Sequence, residues 1–576
     1  MNGTVAVDGG WVRGHEDGGV WAFLGIPYAR APVGPLRWRP PERPKPWSGV
    51  RDATEPGPLA PQPRDGTSLP GDPLEQSQDC LHLSIWTPHP DASRRPVLVW
   101  VHGGGFVSGT AGSAIYRGQH LCAEGDVVVV NVNYRLGALG FLAHPALDSG
   151  AGVFANWALL DQIAALRWVR EHIASFGGDP SNVTLFGESS GAMCISALLT
   201  APAARGLFGG AIVQSGPPYT LSASRAEEVA VSLARELGIA EVSRDALEAV
   251  PARELVSALA ALSRRVPRPG ELPQPLLPVV DGATLPATPL RAIAVGAAAG
   301  VATIVGTNRD EMTFFARDEP WTSAMDPESL HGRIERSAPY VPPGRVVDHY
   351  RGVLARRGEP TEPRDLWVAA GSDVVFRWPS LRLAAALRAH EPRTYVYLFT
   401  WESPAFGGIL GATHALEIPF VFGTHGDPRI SGFVVAGARE ASAARAVAGD
   451  PTTPDRLPDA DGREPSAAAS VADADALSAA VRRSWVSFAR SRDPSNPLVG
   501  YWPAWDRDDR ATMILGRTIA VERAPRNDEL AIWEIVAPLP GAAPGTAAGG
   551  AQGTAPGTAP GTAPGTAGMA AGIRDD

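Results

Sequence analysis

The residues best suited to chemistry lie in the stretch Gly187-Glu188-Ser189-Ser190-Gly191. A serine hydroxyl attacks a carbonyl once a neighbouring base takes its proton, and G-x-S-x-G is the sequence form of a turn that presents such a serine. The flanks fit that turn. Val183 to Phe186 is a short apolar run, and Ala192 to Leu199 is a small-residue segment able to form a helix. Strained backbone at the apex needs glycines where strand and helix fold back, because a Cβ there collides. The following helix directs its unpaired N–H groups toward any negative charge developing at the serine. In a chain with 63 glycines, a serine in a Gly-flanked turn is the alternative reading of these five residues alone.

Three further groups would turn such a serine into a catalyst, and each has a candidate. His102-Gly103-Gly104-Gly105 follows an apolar strand, so its glycine N–H groups can approach an oxyanion closely. A carboxylate is needed downstream at a strand end; Asp310 and Glu311 stand there side by side, and spacing does not separate them. A histidine is needed later still, and His414, one of twelve, lies in a loop with small neighbours. The order serine, acid, histidine is that of α/β-hydrolases rather than of chymotrypsin-like or subtilisin-like enzymes. Taken singly, these features also read as a tight turn, a surface carboxylate and a structural histidine. Their joint order and strand-end placement point to a serine hydrolase.

The elements that must position these groups follow from the hydrophobic pattern. Val97 to Val101, Val127 to Val132, the run before Gly187, Gly210 to Gly216 and Ala302 to Gly306 are apolar runs of the kind buried on both faces of a parallel sheet. Leu159, Ile163, Leu166, Val169 and Ile173 share one helical face, closed by Phe176-Gly177-Gly178. Alternation of strand and helix predicts an α/β fold, a mostly parallel central sheet flanked by helices. The first thirty or so residues read as short strands with turns at Asp8-Gly9-Gly10 and Asp17-Gly18-Gly19, expected to form a small N-terminal antiparallel sheet. Pro32 to Pro73 reads as an irregular wrap, Cys80 to Trp86 and Thr394 to Thr400 as strands. Residues 222 to 265, 325 to 392 and 477 to 489 read as helical. One catalytic domain is expected over 1–540, with a mobile insertion at 423–471 and a disordered Gly/Ala/Pro/Thr-rich tail at 541–576.

With 44% apolar residues and a net charge of −10 over 576 residues, the chain suits a large globular core and lacks the basic run a nucleic-acid surface needs. Its three cysteines, Cys80, Cys122 and Cys194, fit neither a metal site nor a disulfide framework, so reduced thiols, no metal and no cofactor are expected. The N-terminus shows no positive start with an apolar core behind it, and no apolar run approaches the ~18 residues that span a bilayer. A cytoplasmic protein without membrane association is the expectation. Arginine stands almost everywhere for lysine, with Lys45 the only lysine, which suggests GC-rich coding and a bacterial source.

Beyond these patterns the chain resembles the type-B carboxylesterase family, which includes bacterial para-nitrobenzyl esterases, animal carboxylesterases and cholinesterases. The matching segments include Gly25-Ile-Pro-Tyr-Ala29, Asp79-Cys-Leu81, His102-Gly-Gly-Gly-Phe106, Asn133-Tyr-Arg-Leu-Gly137 and Leu159-Leu-Asp-Gln162. They continue through Phe176-Gly-Gly-Asp-Pro180, Gly187-Glu-Ser-Ser-Gly191, Gln214-Ser-Gly216, Asp310-Glu311 and Pro419-Phe-Val-Phe-Gly423. The resemblance implies an α/β-hydrolase fold and hydrolysis of small to medium carboxylic esters through an acyl-enzyme. It implies Ser189 as nucleophile, His414 as general base and acid, and Glu311 rather than Asp310 as the carboxylate orienting the histidine. The oxyanion donors it implies are the N–H groups of Gly104, Gly105 and Ser190. Ser215 is then the hydrogen-bond partner of the triad acid, and Arg135 and Asp161 a structural ion pair. Glu188 reads either as a charge favouring protonated His414 or as a structural carboxylate.

Departures from the family pattern carry their own expectations. Gln78 stands where relatives carry glutamate, which implies loss of an ion pair with Arg37. Cys80 has no upstream cysteine to pair with and is expected to be a free thiol. Ala155-Asn156-Trp157-Ala158 replaces the usual Gly-Asn-x-Gly, which bears on the local backbone. Residues 53 to 77 hold no tryptophan to stack on a quaternary ammonium, which argues against a cholinesterase. A hydrolase of carbamates, thioesters or lactones would use the same groups, while a non-catalytic binding protein on this fold typically loses the serine. The oligomeric state is not read from the sequence.

Overall fold

The apolar runs become the middle of one eleven-stranded sheet. The structure, a computed structural model, describes residues 3–64, 75–150, 152–264, 274–315, 325–435, 471–537 and 539. Its strands begin with β1 (Thr4–Val7), β2 (Gly10–Arg13), β3 (His15–Asp17), β4 (Val20–Pro27), β5 (Val50–Asp52) and β6 (His82–Thr87). Next come β7 (Arg95–Val101), β8 (Val128–Val132), β9 (Gly178–Glu188), β10 (Gly210–Gln214), β11 (Leu221–Ser222) and β12 (Val279–Val280). The last are β13 (Ala302–Asn308), β14 (Thr394–Phe399), β15 (Ala511–Leu515) and β16 (Ile519–Arg523).

The large sheet runs β16-β15-β14-β13-β10-β9-β7-β8-β6-β4-β3. From β15 to β8 every pairing is parallel, and antiparallel strands close both edges. Side chains alternate between its faces, and both faces are covered. On β7, Val97, Val99 and Val101 join one core with helix Trp157–His172, while Leu98 and Trp100 join another with helix Val471–Ser491. Burial on two sides is why the central strands read as unbroken apolar runs.

The small N-terminal sheet expected from the sequence forms as β1-β2-β5, antiparallel in its hairpin and parallel at its third strand. β1 and β2 pair antiparallel, but β5 joins β2 in parallel, with Trp11 opposite Val50. β3 and β4 do form the second hairpin, and they extend the edge of the large sheet instead. Of the stretch 423–471, residues 423–435 are described, and Ile430, Val434 and Val435 pack into the core around Trp401 and Phe420. Residues 436–470 and the tail lie outside the described residues, and helix Val471–Ser491 starts six residues before the periodicity suggested.

The departures from the family pattern are absorbed locally. Arg37 Nε donates to Gln78 Oε1 at 2.7 Å and its Nη1 to the carbonyls of Glu248 and Val250, so a hydrogen bond from the guanidinium to a neutral amide stands where the ion pair is lost. Arg135 and Asp161 form a buried bidentate pair at 2.7 and 2.6 Å. Asn156 takes a left-handed conformation, and its side chain both donates to Val279 O and accepts from Val279 N–H. Ala155 and Ala158 are fully buried beside it, so alanine fits there. Cys80, Cys122 and Cys194 are free and buried. Among the described residues, no helix is long and apolar enough to cross a membrane.

Candidate active site

Ser189 sits between the end of β9 and the first residue of helix Ser190–Leu198, at φ 53° and ψ −128°. This backbone conformation costs about 1–3 kcal/mol and survives only where its surroundings impose it. Here they do. The Ser189 N–H donates to Gln214 O on the neighbouring β10 at 2.9 Å. A Cβ on Gly187 would lie 2.6 Å from Val101 O, and one on Gly191 2.1 Å from the same atom. The two glycines therefore let the turn close onto the end of β7. Ser189 is buried to 8% exposure at that crowded apex.

The structure brings Glu311 and His414 together beside this turn. Glu311 lies just past β13 and is fully buried. Its Oε1 accepts from Ser215 Oγ at 2.6 Å and from the Asn308 N–H at 2.8 Å, and its Oε2 meets His414 Nδ1 at 2.5 Å. Asp310, its rival by spacing, faces away and binds Arg309 and the Ala412 N–H. Ser215, at φ 51°, donates its own N–H to Gly306 O, which fixes its hydroxyl on the carboxylate.

The second ring nitrogen of His414 faces Glu188. Its Nε2 lies 3.0 Å from Glu188 Oε1, a charge contact rather than an aligned hydrogen bond, since that oxygen accepts none. Among the described residues no hydrogen bond joins Nε2 to the Ser189 hydroxyl, so the adjacent glutamate takes that ring position. Burial opposes a charge on His414, but Glu188 and Glu311 outweigh it and hold the imidazole well above its ordinary pKa. Glu188 thus faces the imidazole from the residue next to Ser189.

Glu417, three residues after His414, was given no role by the sequence. It is buried, accepts from Asn308 Nδ2 at 2.8 Å and from Gln214 Nε2 at 3.1 Å. Burial first, then repulsion from Glu188 and Glu311, push its carboxyl up to about 7. Its signal was faint: an acidic residue inside the apolar run Ala415 to Phe422. Three phenylalanines were also missed. Phe314, Phe315 and Phe376 place their ring centroids 5.7, 5.0 and 5.0 Å from the His414 ring. Phe376 comes from a π-turn, Asp373–Arg377, inside an otherwise α-helical run. No periodicity in the sequence announces such a turn.

The glycine loop lies against the same apex. A Cβ on Gly103 would fall 2.6 Å from Glu188 Oε2 and 3.2 Å from Ser189 Cβ. Gly104 has φ 115° and Gly105 φ 61°, and a Cβ on Gly104 would overlap Ser108 O. Among the described residues, the Gly104 and Gly105 N–H groups donate to no carbonyl, while Gly104 O accepts from Val107 and Ser108. Ser190 N–H opens the adjoining helix and belongs to its unpaired first turn. His102, buried and stacked on Tyr134, holds the loop through Nδ1 to Gly103 O at 2.8 Å. Burial drives the His102 pKa down to about 4, so this imidazole is neutral and structural.

The only group of metal-ligating side chains among the described residues is Asp8, Glu171 and His172, and Arg43 already binds both of its carboxylates. The candidate site thus pairs an orienting carboxylate, an imidazole, a strained serine and unpaired N–H groups, an arrangement suited to acyl transfer.

Comparison with known proteins agrees. The profile of the Carboxylesterase family matches residues 2–434. The chain is 36% identical over 533 residues to the para-nitrobenzyl esterase of Bacillus subtilis, covering 91% of this chain and 97% of that one. It is 34% identical over 517 residues to the phenmedipham hydrolase of Pseudarthrobacter oxydans, covering 88% and 94%. Among solved structures, a carboxylesterase of Geobacillus stearothermophilus superposes with a TM-score of 0.77 at 35% identity, covering 92% of this chain and 100% of that one. The chain belongs to the carboxylesterase family and is a serine carboxylic ester hydrolase of the α/β-hydrolase fold.

Proposed function

We propose that this esterase cleaves small to medium carboxylic esters with Ser189 as nucleophile, His414 as general base and acid, and Glu311 as the carboxylate that orients the imidazole. The observation that carries the reading is the 2.5 Å contact of Glu311 with His414 Nδ1, which leaves Nε2 turned to the Glu188–Ser189 turn. When ester fills the site, Nε2 exchanges Glu188 for the Ser189 hydroxyl and takes its proton as Oγ attacks the carbonyl. Catalytic hydrogen bonds often form only in such a complex. The oxyanion accepts from the N–H groups of Gly104, Gly105 and Ser190. His414 then protonates the leaving alcohol and activates water to hydrolyse the acyl-enzyme. Ser215 supports Glu311, and Glu188 supports the imidazolium between the two proton transfers.

The reaction uses protein groups throughout and calls for no cofactor. A net charge of −10 disfavours a nucleic-acid partner, and three free buried thiols fit a cytoplasmic location. Residues 1–540 are proposed as one catalytic unit, since eleven strands, the first β3 and the last β16, share a single sheet.

The test is hydrolysis of para-nitrophenyl esters from acetate to dodecanoate by the natural protein and by Ser189→Ala, with a thioester, a lactone and an aryl carbamate alongside. Loss of activity on the order of 10⁴-fold in the variant is expected. Equal turnover by both proteins would overturn the assignment of Ser189, and a preference for one of the other acyl compounds would move the substrate class.

A further inference from the structure

Asp310 takes no part in the proposed reaction, yet it is bound to the loop that carries His414. Its N–H donates to Ala412 O at 3.0 Å, and its Oδ2 accepts from the Ala412 N–H at 2.8 Å. One residue thus holds both polar groups of a residue two positions before the histidine. Gly411 makes the approach possible, since at φ 56° its missing Cβ would lie 2.3 Å from Asp310 Oδ2. Neighbouring bonds join the same two segments. Asn308 Nδ2 donates to Thr413 O at 2.7 Å, and Thr313 Oγ1 lies 2.7 Å from Leu410 O and 2.8 Å from Thr413 Oγ1. Glu311 and His414 are therefore carried on two loops stitched together at both ends of the pair.

Arg309 fixes the carboxylate that makes the central stitch. Its Nη2 donates to Asp310 Oδ2 at 2.7 Å and to Glu402 Oε1 at 2.8 Å, and its Nε lies 3.1 Å from both Asp310 oxygens. Its own N–H donates to Phe399 O at the end of β14, so the clamp is anchored on the sheet. Asp310 Oδ2 consequently accepts from two directions, a guanidinium on one side and the histidine loop on the other.

We infer that Asp310 is a positioning residue for His414, acting through the backbone of residues 410–414 to keep Nε2 within reach of Ser189. The inference rests on the assignment of His414 as the base. Proton transfer requires heavy atoms at hydrogen-bond distance, and a misplacement near 1 Å can lower a rate on the order of 10²-fold. An asparagine at position 310 keeps the volume but loses the charge and one of the two acceptor oxygens. With its carbonyl oxygen in the place of Oδ2, its amide N–H groups face the Arg309 Nε donor; turned over, they face the Ala412 N–H. Either placement sets N–H against N–H on the Arg309 or the Ala412 side, and the loop shifts to relieve it. Gly411→Ala reaches the same point from the other side, by driving its Cβ into Oδ2.

The experiment compares Asp310→Asn, Gly411→Ala, the double variant and His414→Ala, with active sites counted by a serine-directed phosphonate. Per titrated site, kcat is expected to fall about 10- to 100-fold in each of the first two, with KM within about twofold. The double variant should be no worse than the poorer single one, because both break one contact. A merely structural role for Asp310 would lower the titratable fraction and the melting temperature while leaving kcat per titrated site intact, and that result overturns the inference. His414→Ala separates the two levels. If it is inactive while Asp310→Asn turns over normally, the inference fails alone; if His414→Ala remains active, the assignment of the base fails with it.

Discussion

At the residue scale the site turns on one imidazole between two carboxylates. Glu311 fixes Nδ1 and Glu188 faces Nε2, and together they overcome burial to raise the His414 pKa well above its ordinary value. A general base must be neutral to accept a proton, so kcat/KM of the free enzyme should rise with pH through a value above ~6.5, the unperturbed imidazole pKa. Glu188→Gln removes one of the two raising charges, and its ascending limb should move toward lower pH. A pH–rate profile on a neutral ester checks both, and an unshifted limb in the variant would dismiss Glu188 as the charge partner. The same shift affects stability. Protonated His414 stabilises the fold fully below the imidazole's unfolded pKa, and that contribution is lost as pH rises through the raised folded value. The candidate triad was readable as a serine, an acid and a histidine in a fixed order, while the choice of Glu311 over Asp310 came only with the family resemblance. Glu417 was not readable, because burial and the charges of Glu188 and Glu311, which push its carboxyl up to about 7, and its hydrogen-bond partners Gln214 and Asn308 all come from segments far away in the chain.

At the element scale the elbow depends on how closely a strand and a helix can cross. Gly191 sits under Val101 O, where a methyl group would approach to 2.1 Å from one carbonyl and 2.5 Å from the next, that of His102. These are backbone atoms in a parallel sheet and cannot rotate away. Gly191→Ala should therefore destabilise the protein by about 1–3 kcal/mol and lower ester hydrolysis with it. Thermal unfolding and active-site titration measure the two effects, and an unchanged pair would mean that the helix can slide along the strand. Here the sequence was informative, since G-x-S-x-G names both contact points. It was silent where pairing is decided by what lies opposite. Val50 to Asp52 is three residues of exposed chain with no alternation, and it becomes β5 only because β2 offers it an open edge. The π-turn that sets Phe376 against His414 is equally a product of packing, held by Tyr219 Oη to Val375 O and Tyr350 Oη to Asp373 Oδ2.

At the scale of the whole molecule the glycine loop is tied to a flanking helix through a buried ion pair. Arg135 lies after β8, and its ion pair with Asp161 ties that segment to helix Trp157–His172. The same segment holds the glycine loop, through Tyr134 Oη to His102 O at 2.6 Å and Gly137 N–H to Phe106 O at 2.7 Å. Both charges are essentially out of water, Arg135 at 2% exposure and Asp161 at 0%. Removing one partner of such a pair strands the other, and the penalty is about 3–5 kcal/mol, whereas replacing both by apolar residues of similar volume is often close to neutral. Asp161→Asn is therefore expected to lower the denaturation midpoint markedly. Arg135→Met combined with Asp161→Leu should cost less than Asp161→Asn alone, since no uncompensated charge remains. Urea unfolding of the natural protein and of both variants decides the matter. A double variant less stable than Asp161→Asn would show that the pair contributes net attraction and not merely mutual neutralisation. In either case the glycine loop reports the outcome: when the Arg135 segment loosens, Tyr134 releases His102 O and the N–H groups of Gly104 and Gly105 lose their aim. The double variant, with its core packed and its segment in place, should then recover ester hydrolysis that Asp161→Asn has lost.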